Sequence, residues 1–141
     1  YTTMNPVSQT PNLNISDRLF AEEADIIREA ADKGPCVIVG RCSSYILRDR
    51  PNVVRTFITA DLKTRVEHAI NDLGMSPNRI EDEICKRDKK RSNYFNYYSG
   101  QKWEHASSYD LTISTSKVGY DGAVDMILAF GEMLERQRAN A

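Results

Sequence analysis

The chain has 141 residues, 40% hydrophobic and 28% charged, with a formal net charge of −1. That length suits one domain able to bury a core, and the composition is that of an ordinary globular protein. The near-zero charge gives no global pull toward nucleic acid or an anionic membrane, so any basic site has to be local; no apolar run approaches a membrane span and no signal-peptide pattern opens the chain.

Residues 1–15 are rich in Thr, Asn, Pro and Ser and read as a loop or the tail of something upstream. The first residue is Tyr1 rather than Met, and we expect the native start to lie outside this sequence. Ser16 and Asp17 are N-cap types. Leu19, Phe20, Ile26, Ile27, Ala30 and Ala31 then recur at helical spacing to about Lys33. Gly34-Pro35 stops that helix. Cys36-Val37-Ile38-Val39 is short, apolar and β-branched, as in a strand covered on both faces in a parallel sheet. Gly40-Arg41 ends it.

Residues 43–48 suit one or two helical turns, and residues 53–59 a second strand. Asp61 opens a helix through Leu62, Val66, Ala69, Ile70 and Leu73, closed by Gly74. Ser76-Pro77 is an N-cap followed by Pro at the first helical position, predicting a long polar helix to about Tyr98, broken at Gly100. Residues 109–115 are a third strand candidate. Gly119 to Gly122 reads as a turn. Ala123, Val124, Ile127, Leu128, Phe130, Met133 and Leu134 mark a last amphipathic helix, with Arg136 and Arg138 at its negative end. Strands alternating with helices predict an α/β fold with a parallel sheet. Three strands make a thin sheet for this class, so more chain is expected upstream.

Cys36, Cys42 and Cys85 are too few and too scattered for a disulfide framework, which points to a reducing compartment. Neither His68 nor His105 pairs with a cysteine at metal-ligand spacing, so no metal site is expected.

Three features bear on chemistry. Gly40-Arg41 lies just past the carboxyl end of a strand, where open α/β sheets bind ligands. Glycine allows close backbone approach, and arginine can fork onto a phosphate; an ordinary surface arginine after a turn is the other reading. The second feature is Lys86, Arg87, Lys89, Lys90 and Arg91, with Asp88 the only acid among them, followed by Tyr94, Phe95, Tyr97, Tyr98 and Trp103. Continuing the stripe of Ile80 and Ile84 by threes and fours reaches Arg87, Arg91, Tyr94 and Tyr98. A solvated face would put its charges opposite the stripe, so cations on it suggest an anionic partner. A solvated helix, a single-stranded nucleic-acid surface and a nucleotide-phosphate site all remain open here. The third is the hydroxyl-rich run Ser114-Thr115-Ser116-Lys117 after a strand, fit for a nucleobase or phosphate or for a plain link. No Gly-x-x-x-x-Gly-Lys-Ser/Thr phosphate loop occurs.

In order, these pieces resemble the cytidylate kinase-like family, P-loop kinases of nucleoside monophosphates. Gly34-Pro35-Cys36-Val37-Ile38-Val39-Gly40-Arg41 resembles the family's central strand and Gly-Arg turn. Val54-Arg55-Thr56-Phe57-Ile58-Thr59-Ala60-Asp61 with Arg65 resembles the next strand and helix start. Lys86-Arg87-Asp88-Lys89-Lys90-Arg91 with Asn93-Tyr94 resembles the lid. Tyr97-Tyr98-Ser99-Gly100-Gln101-Lys102-Trp103 and Tyr109-Asp110-Leu111 resemble a divergent, bacterial branch of the family. The likeness covers most of residues 17–130.

It implies a three-layer P-loop kinase fold, one domain over residues 1–141 with a helical lid at about 76–104. It implies cytoplasmic transfer of the ATP γ-phosphoryl to a nucleoside monophosphate, CMP or dCMP, with magnesium. By position Arg41 would hold the acceptor phosphate, and Arg87 would bridge donor and acceptor as a lid arginine. Arg91 joins them as catalytic, Lys90 lies in the same stretch, and Ser114, Ser116 and Lys117 would lie beside the donor adenine. Gly40, Cys42 and Tyr94 complete the nucleotide contacts. Cys42 stands where cytidylate kinases have an aspartate that reads the cytosine amino group, and Arg91 and Tyr94 stand where their lid has an acid and a further arginine. The resemblance favours nucleotides over nucleic acid as partners; a non-catalytic nucleotide binder, or a nucleic-acid module built on residues 86–103, are the alternatives.

The strand bearing the phosphate loop is expected between residues 36–39 and residues 53–59. Without it, buried strands would leave backbone groups unpaired at roughly 1–3 kcal/mol each. The sequence is therefore read as part of a longer protein.

Overall fold

Asn14 starts the described chain by capping a helix: its side-chain oxygen accepts from the Asp17 N–H at 3.0 Å. This computed structural model describes residues 14–140. The chain divides into two units at residues 38 and 39. In the first, α1 spans Ile15–Lys33, buries Ala24 and Ile27 and ends at Gly34. The cap falls two residues before Ser16: Asn14 accepts the Asp17 N–H, so Ile15 and Ser16 already form the first turn. The loop expected earlier in the chain lies outside the described residues, apart from Asn14 and Ile15.

The second unit holds α2 (Ser43–Ile46), β1 (Thr56–Thr59), α3 (Leu62–Asn71), α4 (Ile80–Ser99), a 3-10 turn (Ala106–Ser108), β2 (Leu111–Ser114) and α5 (Thr115–Ala139). β1 and β2 pair in parallel, with Thr56 opposite Leu111 and Thr59 opposite Ser114. The expected α/β fold with a parallel sheet is what the chain forms, with the helices dominant. The strand expected at residues 36–39 is absent from the described sheet. Those residues run without ladder bonds, and Val37 and Val39 are 92% and 88% exposed. A strand exists only by pairing, and apolar, β-branched composition cannot supply a partner.

Short parallel strands need help to hold register. Arg55, one residue before β1, and Asp110, one before β2, supply it. The guanidinium forks onto the carboxylate through Nη2 to Oδ1 at 2.6 Å and Nε to Oδ2 at 3.0 Å. The Arg55 N–H also donates to Asp110 Oδ2, and the Asp110 and Leu111 N–H groups both donate to the Arg55 carbonyl. At the other end Thr115 Oγ1 donates to the Thr59 carbonyl at 3.2 Å, and the Asp61 N–H donates to Ser116 Oγ at 2.8 Å. Asp61 in turn caps α3.

The core lies where α3 and α4 meet: Ala69, Ile80 and Ile84 are buried, with Val66, Ile70 and Met75 packed on them. Arg79 takes a left-handed φ of 56°, so α4 starts at Ile80 rather than at the expected Pro77. Further along, Phe57 of β1 meets Trp103 edge-on at 5.3 Å and Tyr109 at 5.0 Å, and Phe95 of α4 stacks on Tyr109 at 6.1 Å. The return loop is tied back to α4: Gly100 (φ 67°) ends the helix, Ser99 Oγ donates to the Phe95 carbonyl, and the Trp103 N–H donates to Asn96 Oδ1. Ile113 of β2 is the most deeply buried large side chain. The expected turn at residues 119–122 reduces to Gly119, whose φ of 70° kinks α5.

Arg55 holds the Asp110 carboxyl below the usual carboxylate range, chiefly by its side-chain hydrogen bonds. Asp110→Ala should cost about 1.5 kcal/mol of stability, the low end for hydrogen bonds to a charged group, because water reaches this one. A depressed carboxylate contributes fully above its unfolded pKa of about 3.9, and the contribution is lost as pH falls through its lower folded value. Urea midpoints measured down the acid range should therefore converge for wild type and Asp110→Ala; midpoints that stay equally far apart at every pH would remove the role.

Candidate nucleotide-phosphate site

Three successive residues after the 36–39 segment take left-handed backbone: Gly40 (φ 77°), Arg41 (53°) and Cys42 (57°). For residues with a Cβ this conformation costs about 1–2 kcal/mol each, and strain of this kind gathers at functional sites. The turn is held from behind. The Ser43 N–H donates to the Gly40 carbonyl at 3.0 Å, the Tyr45 and Ile46 N–H groups donate to the Cys42 carbonyl at 2.9 Å, and Cys42, Ile46 and Leu47 are buried. Arg41 is left exposed at the apex, its guanidinium carbon 5.9 Å from the centre of the Tyr94 ring on α4. That is cation–π range. The structure thus brings together two of the residues singled out in the sequence.

Tyr94 belongs to an aromatic run: its ring lies 4.9 Å from Tyr98, which meets Tyr97 edge-on at 4.8 Å. One turn earlier on α4 come the cations. Arg91 donates Nη1 to Asp88 Oδ1 at 3.1 Å, and Arg87 donates Nε to Glu83 Oε1 at 3.0 Å. The Arg87 hydrogen bond is the main reason the Glu83 carboxyl sits below its ordinary range. Lys86, Lys89 and Lys90 are exposed. The site is therefore a cationic helix whose next turn is aromatic and touches a strained arginine turn.

The expected inward stripe needs one correction. The buried line of α4 is Ile80, Ile84, Phe95 and Ser99, and the residue that continues it after Ile84 is Asp88, not Arg87. Asp88 is 20% exposed, whereas Arg87 and Arg91 are 51% and 58% exposed. The arginines ride on the shoulder of the helix and a carboxylate sits on the line. A strict i to i+4 step from Ile84 finds it; mixing threes and fours passed it over. Asp88 takes both Nη atoms of Arg65, on α3, at 2.7 and 2.8 Å.

Cys42 is 5% exposed and lies close enough to Tyr109 to act on its hydroxyl. Burial first, and Cys42 second, push the Tyr109 phenol up to about 12, so it stays protonated through the neutral range. The thiol faces this aromatic core rather than solvent. Ser114 ends β2, and Ser116 and Lys117 gather about Asp61. Its carboxyl is lowered chiefly by the Thr64 N–H it accepts, with smaller help from Ser116 and Lys117. Among the described residues no group of three or more His, Cys, Asp or Glu side chains is placed to hold a metal ion. No helix among them is long and apolar enough to cross a membrane.

The fold is thus of the α/β class, a parallel β–helix–β unit that carries arginines on α4 and on the turn at residues 40–42. The cytidylate kinase-like family model matches residues 2–117, and the chain belongs to that family. It is 29% identical over 102 residues to the cytidylate kinase of Pyrococcus horikoshii, which covers 72% of this chain and 52% of that protein. The chain thus spans about half the length of this curated relative. It is also similar to the crystal structure of an uncharacterized protein from Eubacterium ventriosum, with a TM-score of 0.77 and 32% identity over 84% of this chain and 74% of the other.

The placement of the thiols gives a direct check. In the folded protein, dithiobis-nitrobenzoate should modify Cys36 and Cys85, which are exposed, and reach buried Cys42 only after unfolding. Equal labelling of all three without denaturant would show the 40–42 turn to be open.

Proposed function

We propose that this chain forms the acceptor side and lid of a nucleoside monophosphate kinase that transfers the γ-phosphoryl of MgATP to CMP or dCMP. In this reading an acceptor phosphate oxygen attacks the γ-phosphorus, the bond to the β-phosphate oxygen breaks, and ADP and a nucleoside diphosphate leave. Such transfer asks little covalent help of a protein and much charge neutralisation and positioning. The observation that carries the reading is Arg41 on its strained turn, within cation–π range of Tyr94 on the same helix as Arg87 and Arg91.

Each residue then has a task. Arg41 grips the acceptor phosphate through its guanidinium fork. Gly40 and Cys42 shape the turn that presents it. Arg87 and Arg91 supply positive charge where negative charge builds on the transferring group, with Lys90 beside them. Tyr94 and the rings behind it offer a face for a nucleobase. Ser114, Ser116 and Lys117 form the far rim, toward the donor base. The ATP phosphates and their magnesium would be cradled by a phosphate loop on a strand outside this sequence, beside the exposed residues 36–39. Buried Cys42 meets no solvent, so any reading of the base falls to other groups; this favours, as the second reading, a protein that binds nucleotides without catalysing transfer.

The intact protein, given MgATP and a panel of nucleoside monophosphates, is expected to turn over CMP or dCMP best. Arg41→Ala and Arg87→Ala should each lower kcat/KM at least tenfold, on the order of 1.4 kcal/mol in the transition state. Wild-type turnover in both variants would sink the site assignment. Nucleotide binding without any ADP production would decide for the second reading, and salt-sensitive binding to single-stranded RNA alone would displace both.

A further inference from the structure

The carboxylate on the buried line of α4 has a use beyond packing. We infer that Asp88 is a positioning residue: anchored by Arg65, it sets the direction of the Arg91 guanidinium toward an anionic ligand. The inference rests on the proposed reading of α4 as a phosphate-binding helix.

Asp88 is held by the scaffold rather than by Arg91. Arg65 grips both its oxygens, Nη1 to Oδ2 at 2.7 Å and Nη2 to Oδ1 at 2.8 Å. Arg65 stands on α3 beside Val66, whose neighbours Ala69 and Ile70 pack with it against Ile80 and Ile84, one turn before Asp88 on α4. The Arg65 and Asp88 side chains are 33% and 20% exposed, that of Arg91 58%. The anchored pair is the more sheltered part of the trio and Arg91 the more exposed.

Arg91 spends one donor on this anchor, Nη1 to Oδ1 at 3.1 Å, out of the five that a guanidinium carries. Two guanidinium groups share a single carboxylate, so the trio keeps an excess positive charge for a ligand. Arg87 likewise pairs with a carboxylate one turn away on α4, but Glu83 is 43% exposed, whereas Asp88 is 20% exposed and gripped by Arg65 from α3. Such an exposed pair one turn apart is weak and easily exchanged. Arg91 is thus pre-aimed and Arg87 adaptable, and pre-aiming lowers the ordering cost of gripping a ligand.

The test is a double-mutant cycle in the intact protein, with CMP and MgATP as probe and thermal unfolding measured on each variant. Asp88→Asn is expected to lower kcat/KM roughly tenfold and to add no loss in an Arg91→Ala background, while its loss multiplies with that of Arg87→Ala. Wild-type kinetics in Asp88→Asn, or losses that multiply with Arg91→Ala, overturn the inference, because a merely structural carboxylate gives one of those results. Should Asp88→Asn not fold, the cycle runs with Asp88→Glu, which keeps the charge and displaces it by one methylene; kcat/KM unchanged there overturns it equally. A wild-type protein that transfers no phosphoryl group removes the proposed function instead. The inference is then decided by the Arg91 side-chain resonances of nitrogen-15-labelled protein: slow guanidinium rotation lost in Asp88→Asn upholds it, and rotation unaffected by the substitution overturns it.

Discussion

Everything in the second unit depends on two four-residue strands staying in parallel register. A ladder that short offers few bonds, and a parallel pair is closed by a long crossover rather than a tight turn. The Arg55–Asp110 fork solves this at the entry, since a side-chain pair, one backbone-to-carboxylate bond and two backbone bonds meet where both strands begin. Thr115 and Ser116 close the exit. With both ends fixed, the crossover helices are carried to defined places. The groups discussed as ligand-binding are those the crossover presents beyond the sheet, together with the turn at residues 40–42.

Helix α4 is held at both ends by different chemistry. Its first turns bury Ile80 and Ile84 against α3, and its last turns bury Phe95 and Ser99 against the aromatic group of Phe57, Trp103 and Tyr109. Between them runs the segment of residues 86–91, too charged to pack. Like charges at this density repel by a few tenths of a kcal/mol per close pair, and the helix tolerates them because its ends are fastened. Asp88 and Glu83 offset part of the repulsion. Arg87 and Arg91 are each paired with a carboxylate one turn away, while Lys86, Lys89 and Lys90 stay exposed, so the segment keeps a net positive charge.

Much of this was legible in the sequence, and for stated reasons. Gly34 and Gly100 stopped helices because left-handed or extended glycine ends a helix cheaply, and the structure has both at caps. Asp61 opened α3 because an aspartate cap precedes an apolar stripe. The parallel sheet followed from alternation of strand and helix. What stayed illegible depends on tertiary context. Residues 36–39 have strand composition, but the described sheet holds no partner for them. Asp88 looked like an interruption in a basic run, because sequence does not say that Arg65 waits across on α3. Cys42 looked like a ligand contact from its place after Gly40-Arg41, yet its side chain turns into the core. The pairing of Arg41 with Tyr94 joins residues far apart in the chain, and no local periodicity reports it.

The turn at residues 40–42 shows why such a contact matters. Two side-chain-bearing residues in left-handed backbone cost about 1–2 kcal/mol each, and the interactions that hold them there are the burial of Cys42, Ile46 and Leu47 and the bonds onto the Gly40 and Cys42 carbonyls. Burying Cys42 is therefore what forces Arg41 outward: in this backbone the two neighbours cannot both face the core. An aspartate at position 42 would have to remain ionised in a nearly dry place beside Tyr109 or surrender the turn, whereas a thiol fills the place as a small apolar group. The cysteine thus fills the inside of the turn while Arg41 stays at its exposed side. The ring of Tyr94 lies within cation–π range of that arginine, and a ring stabilises a cation without cancelling its charge.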